Sequence, residues 1–267
     1  MDNKKSHSRF TSLTEVVVIG TRTTGSDPQR DRVVEVAAMK VDFTTLEQDE
    51  KLEINYFNRR VNPEQPIPKK AKTAGGISDR KVRNEAPFRK IAEEFREFIG
   101  DRPIIGHDAG FHTQILHEEF KRAGRKGLME NPVYCTKTRI AHYLSAVNAQ
   151  NMDLPLEKVL RWFSIINDSG KLEGAFEDAY LTLKLAVALR AIDDLPGSAR
   201  ERWEHYFDNF QAPVDATGKK DHRPWTRNDS RLADVGNKIG VVLTRTLKFF
   251  VLFMLGFLLA AIFLRIL

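Results

Sequence analysis

A histidine and two carboxylates are a legitimate ligand set for one divalent cation, and His112, Glu173 and Asp178 supply that set wherever a fold brings them together. Arg22 is a cation that no ordinary pH removes. It sits in "VVVIGTRTTG" (16–25), where an apolar run leaves through a Thr/Gly-rich turn. Gly20 can begin that turn, with Thr21, Thr23 and Thr24 satisfying backbone groups. His107 and Asp108 precede "AGFHTQILHEEF", where Asp108 suits the N-cap of a helix. Glu35 stands in an otherwise apolar strand and reads as a buried or edge carboxylate held by hydrogen bonds. Basic clusters occur in "RRVNPEQPIPKKAK" (Arg59, Arg60, Lys69, Lys70, Lys72) and "KRAGRK" (Lys121, Arg122, Arg125, Lys126), the kind of run that usually forms a solvated face.

The elements that must position these groups follow from periodicity. "EVVVIG", "RVVEVAAMKVD" and "KLEINYFNRRV" read as three successive strands separated by turn-rich segments. "APFRKIAEEFREFIG" carries Phe88, Ile91, Ala92, Phe95 and Phe98 at helical spacing, with Gly100 as its stop. A short strand "PIIG", a helix from about Ala109 to Ala123 and a short strand "PVYC" come next. Helices around Leu156–Trp162 and Ala175–Ala191 close the series. Three strands, then alternating helix and strand, predict a mixed α/β sheet covered by helices.

The 267 residues carry a net charge of +6, which would invite a nucleic-acid reading if it were spread over the domain. It is not: residues 13–195 hold 28 basic and 28 acidic side chains. The excess lies in the first ten residues and after Pro196, just before the apolar stretch Phe249–Leu264 bracketed by Lys248 and Arg265. Sixteen helical residues rise about 24 Å, and snorkelling of the flanking cations extends the span toward a bilayer core. The expectation is a basic arm (1–12), a folded domain (13–195), a polar basic stalk (196–246) and a single-pass membrane anchor (247–267). The positive flank keeps the domain cytoplasmic. Trp203, Tyr206, Phe207 and Phe210 are expected to cap the domain core. One cysteine, Cys135, excludes an internal disulfide framework, and "MDNKKSHSRF" shows no secretory signal.

Four blocks, "VVVIGTRTTGSDPQRDRVVEVAAMKVD", "RRVNPEQPIPKKAKTAGGISDRKV", "DRPIIGHDAGFHTQILHEEFKRAG" and "LEGAFEDAYLTLKLAVAL", resemble in order and spacing the DEDD-type (DEDDh) 3′–5′ exonucleases, above all the proofreading epsilon subunits of bacterial DNA polymerase III. The resemblance implies a ribonuclease H-like fold and a site where four carboxylates hold two Mg or Mn ions beside a general-base histidine. In that pattern the first two carboxylates fall at Gly20 and Arg22, the third at His112, the fourth at Asp178 and the base at Glu173. Gly75 stands where the family commonly has a histidine. Only Asp178 keeps its family type, so the resemblance implies a pseudoenzyme that needs no metal, with Arg22, His107 and Asp178 as binding residues and Arg22 paired to Asp178 or Glu173. The competing expectation is a working exonuclease with rewired ligands, the weak metal set being His112, Glu173 and Asp178. Partners on the first reading are a bacterial inner membrane through 247–267 and a protein or nucleic acid.

Overall fold

A computed structural model describes residues 10–44, 54–128, 130–149, 152–163, 165–166 and 174–206. Its centre is a five-stranded sheet of β1 (Glu15–Thr23), β2 (Val33–Asp42), β3 (Asn55–Arg60), β4 (Ile104–Gly106) and β5 (Val133–Cys135), in the order β3-β2-β1-β4-β5. The first three strands pair antiparallel, and β4 and β5 add in parallel beside β1. The helices are α1 (Lys69–Gly75), α2 (Asp79–Val82), α3 (Phe88–Ile99), α4 (Ala109–Arg122), α5 (Thr136–Ala146), α6 (Leu156–Trp162), α7 (Ala175–Asp194) and α8 (Ala199–Tyr206).

A central strand covered on both faces has no polar side to show, which is why β1 reads as a continuous apolar run. Val16 and Val18 pack into one core with Ala37, Met39 and the α5–α8 side. Val17 and Ile19 pack into the other with Phe88, Phe95, Phe120 and the α3–α4 side. The expected α3 register holds for Phe88, Ile91, Ala92 and Phe95, which are buried, whereas Phe98 is only half-buried and Ile99 is the buried residue of the last turn; Gly100 ends the helix at φ 60°. Thus the mixed α/β sheet flanked by helices is present, with the topology of a ribonuclease H-like fold.

Both expected domain limits move outward. Phe10 is 1% exposed, its N–H donates to Asp193, and Arg190 donates to the carbonyls of Phe10 and Leu13. Residues 10–12 therefore belong to the folded unit, not to the arm. At the other end α8 lies in the segment expected as stalk, and Trp203 stacks on Tyr143 at 5.3 Å, capping the core as expected. Phe207 and Phe210 lie outside the described residues. Helices α1, α2 and α5 went unrecognised in the sequence, although Ile140, Tyr143 and Leu144 at helical spacing mark α5. Among the described residues no helix is long and apolar enough to cross a membrane, and segment 247–267 lies outside them.

Candidate functional site

The C-terminal end of β1, the first turns of α4 and α7 and the end of α1 converge on one cleft of about 430 Å³. Arg22, His107, His112, Asp178, Glu157 and Thr73 are among its lining residues. Arg22 Nη2 donates to Asp178 Oδ1 at 2.8 Å, with the two side chains 19% and 15% exposed, so the ion pair expected from the sequence forms. A longer contact, 3.5 Å, runs from the same nitrogen to the Gly174 carbonyl at the start of α7. Burial raises the Asp178 carboxyl to about 6 against the pull of Arg22, with Glu177 and Glu35 adding to the rise. Glu173 lies outside the described residues, so Asp178 is the expected partner that is seen.

Gly20 touches α7 directly. A Cβ built on it would lie under 3.0 Å from the Ala175 carbonyl oxygen and 3.2 Å from the Ala179 nitrogen, so no side chain fits unless the helix backbone retreats. Gly75 flanks the same guanidinium, its Cβ direction meeting Arg22 Cδ at 3.6 Å. The start of α7 is held by Glu35, whose Oε2 accepts from the Ala175 N–H at 2.6 Å; Arg60 stands 3.7 Å from its other oxygen. Gly174, at φ 93°, is where the chain turns, and a Cβ there would meet Glu35 Oε2 at 2.9 Å. Glu35 is thus the buried hydrogen-bonded carboxylate the sequence suggested, and its task, seating a helix start 140 residues away, carried no local signal.

The histidines are structural. His112 Nδ1 bonds Thr21 Oγ1 at 2.7 Å, and burial pushes its imidazole down to about 4, so it is neutral at pH 7. His107 shares Nδ1 with Thr136 Oγ1 at 2.8 Å and donates Nε2–H to the Leu154 carbonyl at 2.7 Å, and burial lowers its pKa too. With both nitrogens committed, His107 braces the cleft wall and offers a ligand only carbon edges. Asp108 does occupy the N-cap of α4, but in the left-handed region (φ 62°) with no side-chain cap bond. Its carboxylate goes to Lys137 Nζ at 3.0 Å, which corrects the expected capping role.

A pair of divalent cations does not fit these residues. Gly20 supplies no side-chain ligand and has no room for one. Among the described residues the cleft's carboxylates are Asp178 and Glu157, each paired with an arginine, Arg22 and Arg161. Arg22 would repel each unit of metal charge by about 4 kcal/mol at 4 Å and an effective dielectric of 20. Among the described residues no three of His, Cys, Asp or Glu are grouped to hold a metal ion.

Comparison with known proteins follows the same outline. Residues 17–186 match the family model described as "Exonuclease". DNA polymerase III subunit epsilon of Rickettsia prowazekii is 30% identical over 185 residues, covering 67% of this chain and 75% of the relative. That of Rickettsia felis is 31% identical over 184 residues, with the same coverage. The 3′-5′ exonuclease DinG of Bacillus subtilis is 28% identical over 109 residues, 40% of this chain and 11% of that one. Among solved structures, an exonuclease I whose structure was related to processivity superposes with a TM-score of 0.56 at 15% identity, covering 73% of this chain. The E. coli exonuclease I complex with a dA16 oligonucleotide gives 0.55, also at 15% identity and 73% of this chain. The chain spans less than half the length of either exonuclease I, 44% and 43%, so these two speak for the fold alone.

Proposed function

We propose that this chain, which belongs to the exonuclease family, is a membrane-tethered member whose nuclease centre is closed to metals and whose domain serves as a binding module for a protein or a nucleic acid. One observation carries the reading: where the family resemblance puts the first two metal-binding carboxylates, Gly20 lies against the α7 backbone and Arg22 is paired with Asp178. A carboxylate missing from an open site can be compensated by water or a neighbour. A site filled by main chain and a fixed cation cannot.

What remains is a cleft whose charged edge is Arg22 with Asp178, with Thr73, Glu157 and Thr182 also on its walls and neutral histidines framing it. It can take a group able to share Arg22, and it can transfer no proton to one through His107. The apolar segment 247–267, with basic residues before it, supports anchoring with the domain on the cytoplasmic side, a bacterial inner membrane being the membrane inferred from the resemblance. Mg or Mn belongs only to the competing reading, an exonuclease with rewired ligands.

The deciding experiment incubates the full chain and its Asp178→Asn variant with end-labelled single-stranded DNA and RNA, with Mg or Mn. The expected result is no shortening by either protein. Metal-dependent trimming that the variant loses would overturn the proposal and establish the rewired enzyme.

A further inference from the structure

Residues 69–83, "KKAKTAGGISDRKVR", hold six cations and a single carboxylate. That carboxylate, Asp79, is already engaged by Lys72 and the Ile67 N–H. Inward, Ala71, Ile77 and Val82 pack with Val34 and Ile67 into a small core of their own, which fixes the orientation of α1 and α2. Outward, Lys69, Lys70, Arg80, Lys81 and Arg83 are exposed. Among the described residues no ion pair engages Lys69, Lys70, Arg80 or Arg83, whereas the other basic cluster spends Lys121, Arg122, Arg125 and Lys126 on neighbouring glutamates. The patch borders the cleft, since Thr73 lines it and Gly75 lies against Arg22.

We propose that the outer face of α1 and α2 docks on anionic lipid headgroups and so turns the mouth of the cleft toward the bilayer. The proposal rests on the membrane-anchored reading of 247–267. Forty residues (207–246) separate α8 from that segment, a contour of up to about 130 Å, so the anchor alone leaves every face of the domain able to reach the surface. Tethering holds the patch at high effective concentration near the headgroups, and clustered cations are what a negative leaflet attracts. Chemistry favours lipid over a nucleic-acid strand: residues 69–83 contain no aromatic side chain on which bases would stack.

The test places the full chain in vesicles of phosphatidylcholine, with or without phosphatidylglycerol, and reads lysine acylation by mass spectrometry. Lys69, Lys70 and Lys81 are expected to be protected only in the anionic vesicles, with Lys126 and Lys158 unchanged and the protection lost at raised salt. Each cation removed in Arg80→Gln and Arg83→Gln should weaken protection about fivefold. Identical footprints in both vesicles overturn the proposal. So does protection by a single-stranded oligonucleotide with none by anionic lipid. Alkaline carbonate extraction reports separately on the anchor: a chain stripped by carbonate yet still protected on anionic vesicles sinks the anchor and leaves the docking face standing.

Discussion

The two ends of α7 each carry an aspartate paired with an arginine, and the pairs are built differently. At the far end Asp193 and Arg139 are 0% and 4% exposed, and the carboxylate also accepts from Tyr143 and from the Phe10 N–H. At the cleft Asp178 and Arg22 are several-fold more exposed and joined by one short bond. The first is a lock, in which both carboxylate oxygens are engaged and both ends of the folded unit depend on it. The second is a plug, which fills a cleft whose walls would stand without it. A fully buried charge with several donors cannot lose one partner cheaply, whereas a more exposed pair at a cleft can.

This contrast breaks most visibly at the lock. Asp193→Ala strands Arg139 in the core and releases Phe10, and should cost about 3–5 kcal/mol, read from urea unfolding. The next effect lies in the seat between them. Gly20→Ala forces α7 off β1 and should destabilise by about 1–3 kcal/mol in the same assay. Combining Gly20→Asp with Arg22→Glu should add destabilisation without bringing metal-dependent trimming. At the plug, Asp178→Asn keeps an acceptor for Arg22 and should shift stability by less than about 1 kcal/mol. A cycle with Arg22→Met isolates the pair's own coupling.

A dependence on pH separates the titrating groups. Asp178 is raised in the fold from 3.8 to about 6, so its contribution is fully present below 3.8 and is lost as pH rises through about 6. His112 is lowered from 6.5 to about 4, so its contribution is present above 6.5 and fades as pH falls toward 4. The Asn variant at 178 should therefore gain stability relative to the parent between pH 4 and 6.5, and His112→Gln should lose less than the parent as pH falls over that window. Unfolding midpoints at successive pH values check both.

Much of this was legible in the chain. The apolar runs of β1 and β2 and the spacing of Phe88, Ile91 and Phe95 are local patterns, and they place the sheet and α3 correctly. Arg22 could be paired with Asp178 or Glu173 because the family resemblance sets all three positions in one site, and Asp178 is the partner the described residues show. What escaped depends on distant partners: Glu35 seats α7 across 140 residues, and Asp193 gathers Phe10 across 183. Asp108 escaped for another reason, since a good N-cap type in the left-handed region aims its carboxylate elsewhere, here to Lys137.

The bare contact of Gly20 with α7 also has an evolutionary meaning. At most positions a lost side chain can return by one substitution, because the space it left stays open. Here the space is taken by main chain, and main chain cannot be substituted away. A carboxylate at 20 would have to wait for α7 to move, and α7 is held by Glu35 at its start and by Asp193 at its end. The contact works as a ratchet: no single substitution at 20 delivers a carboxylate to that strand end while α7 stays where those two residues hold it.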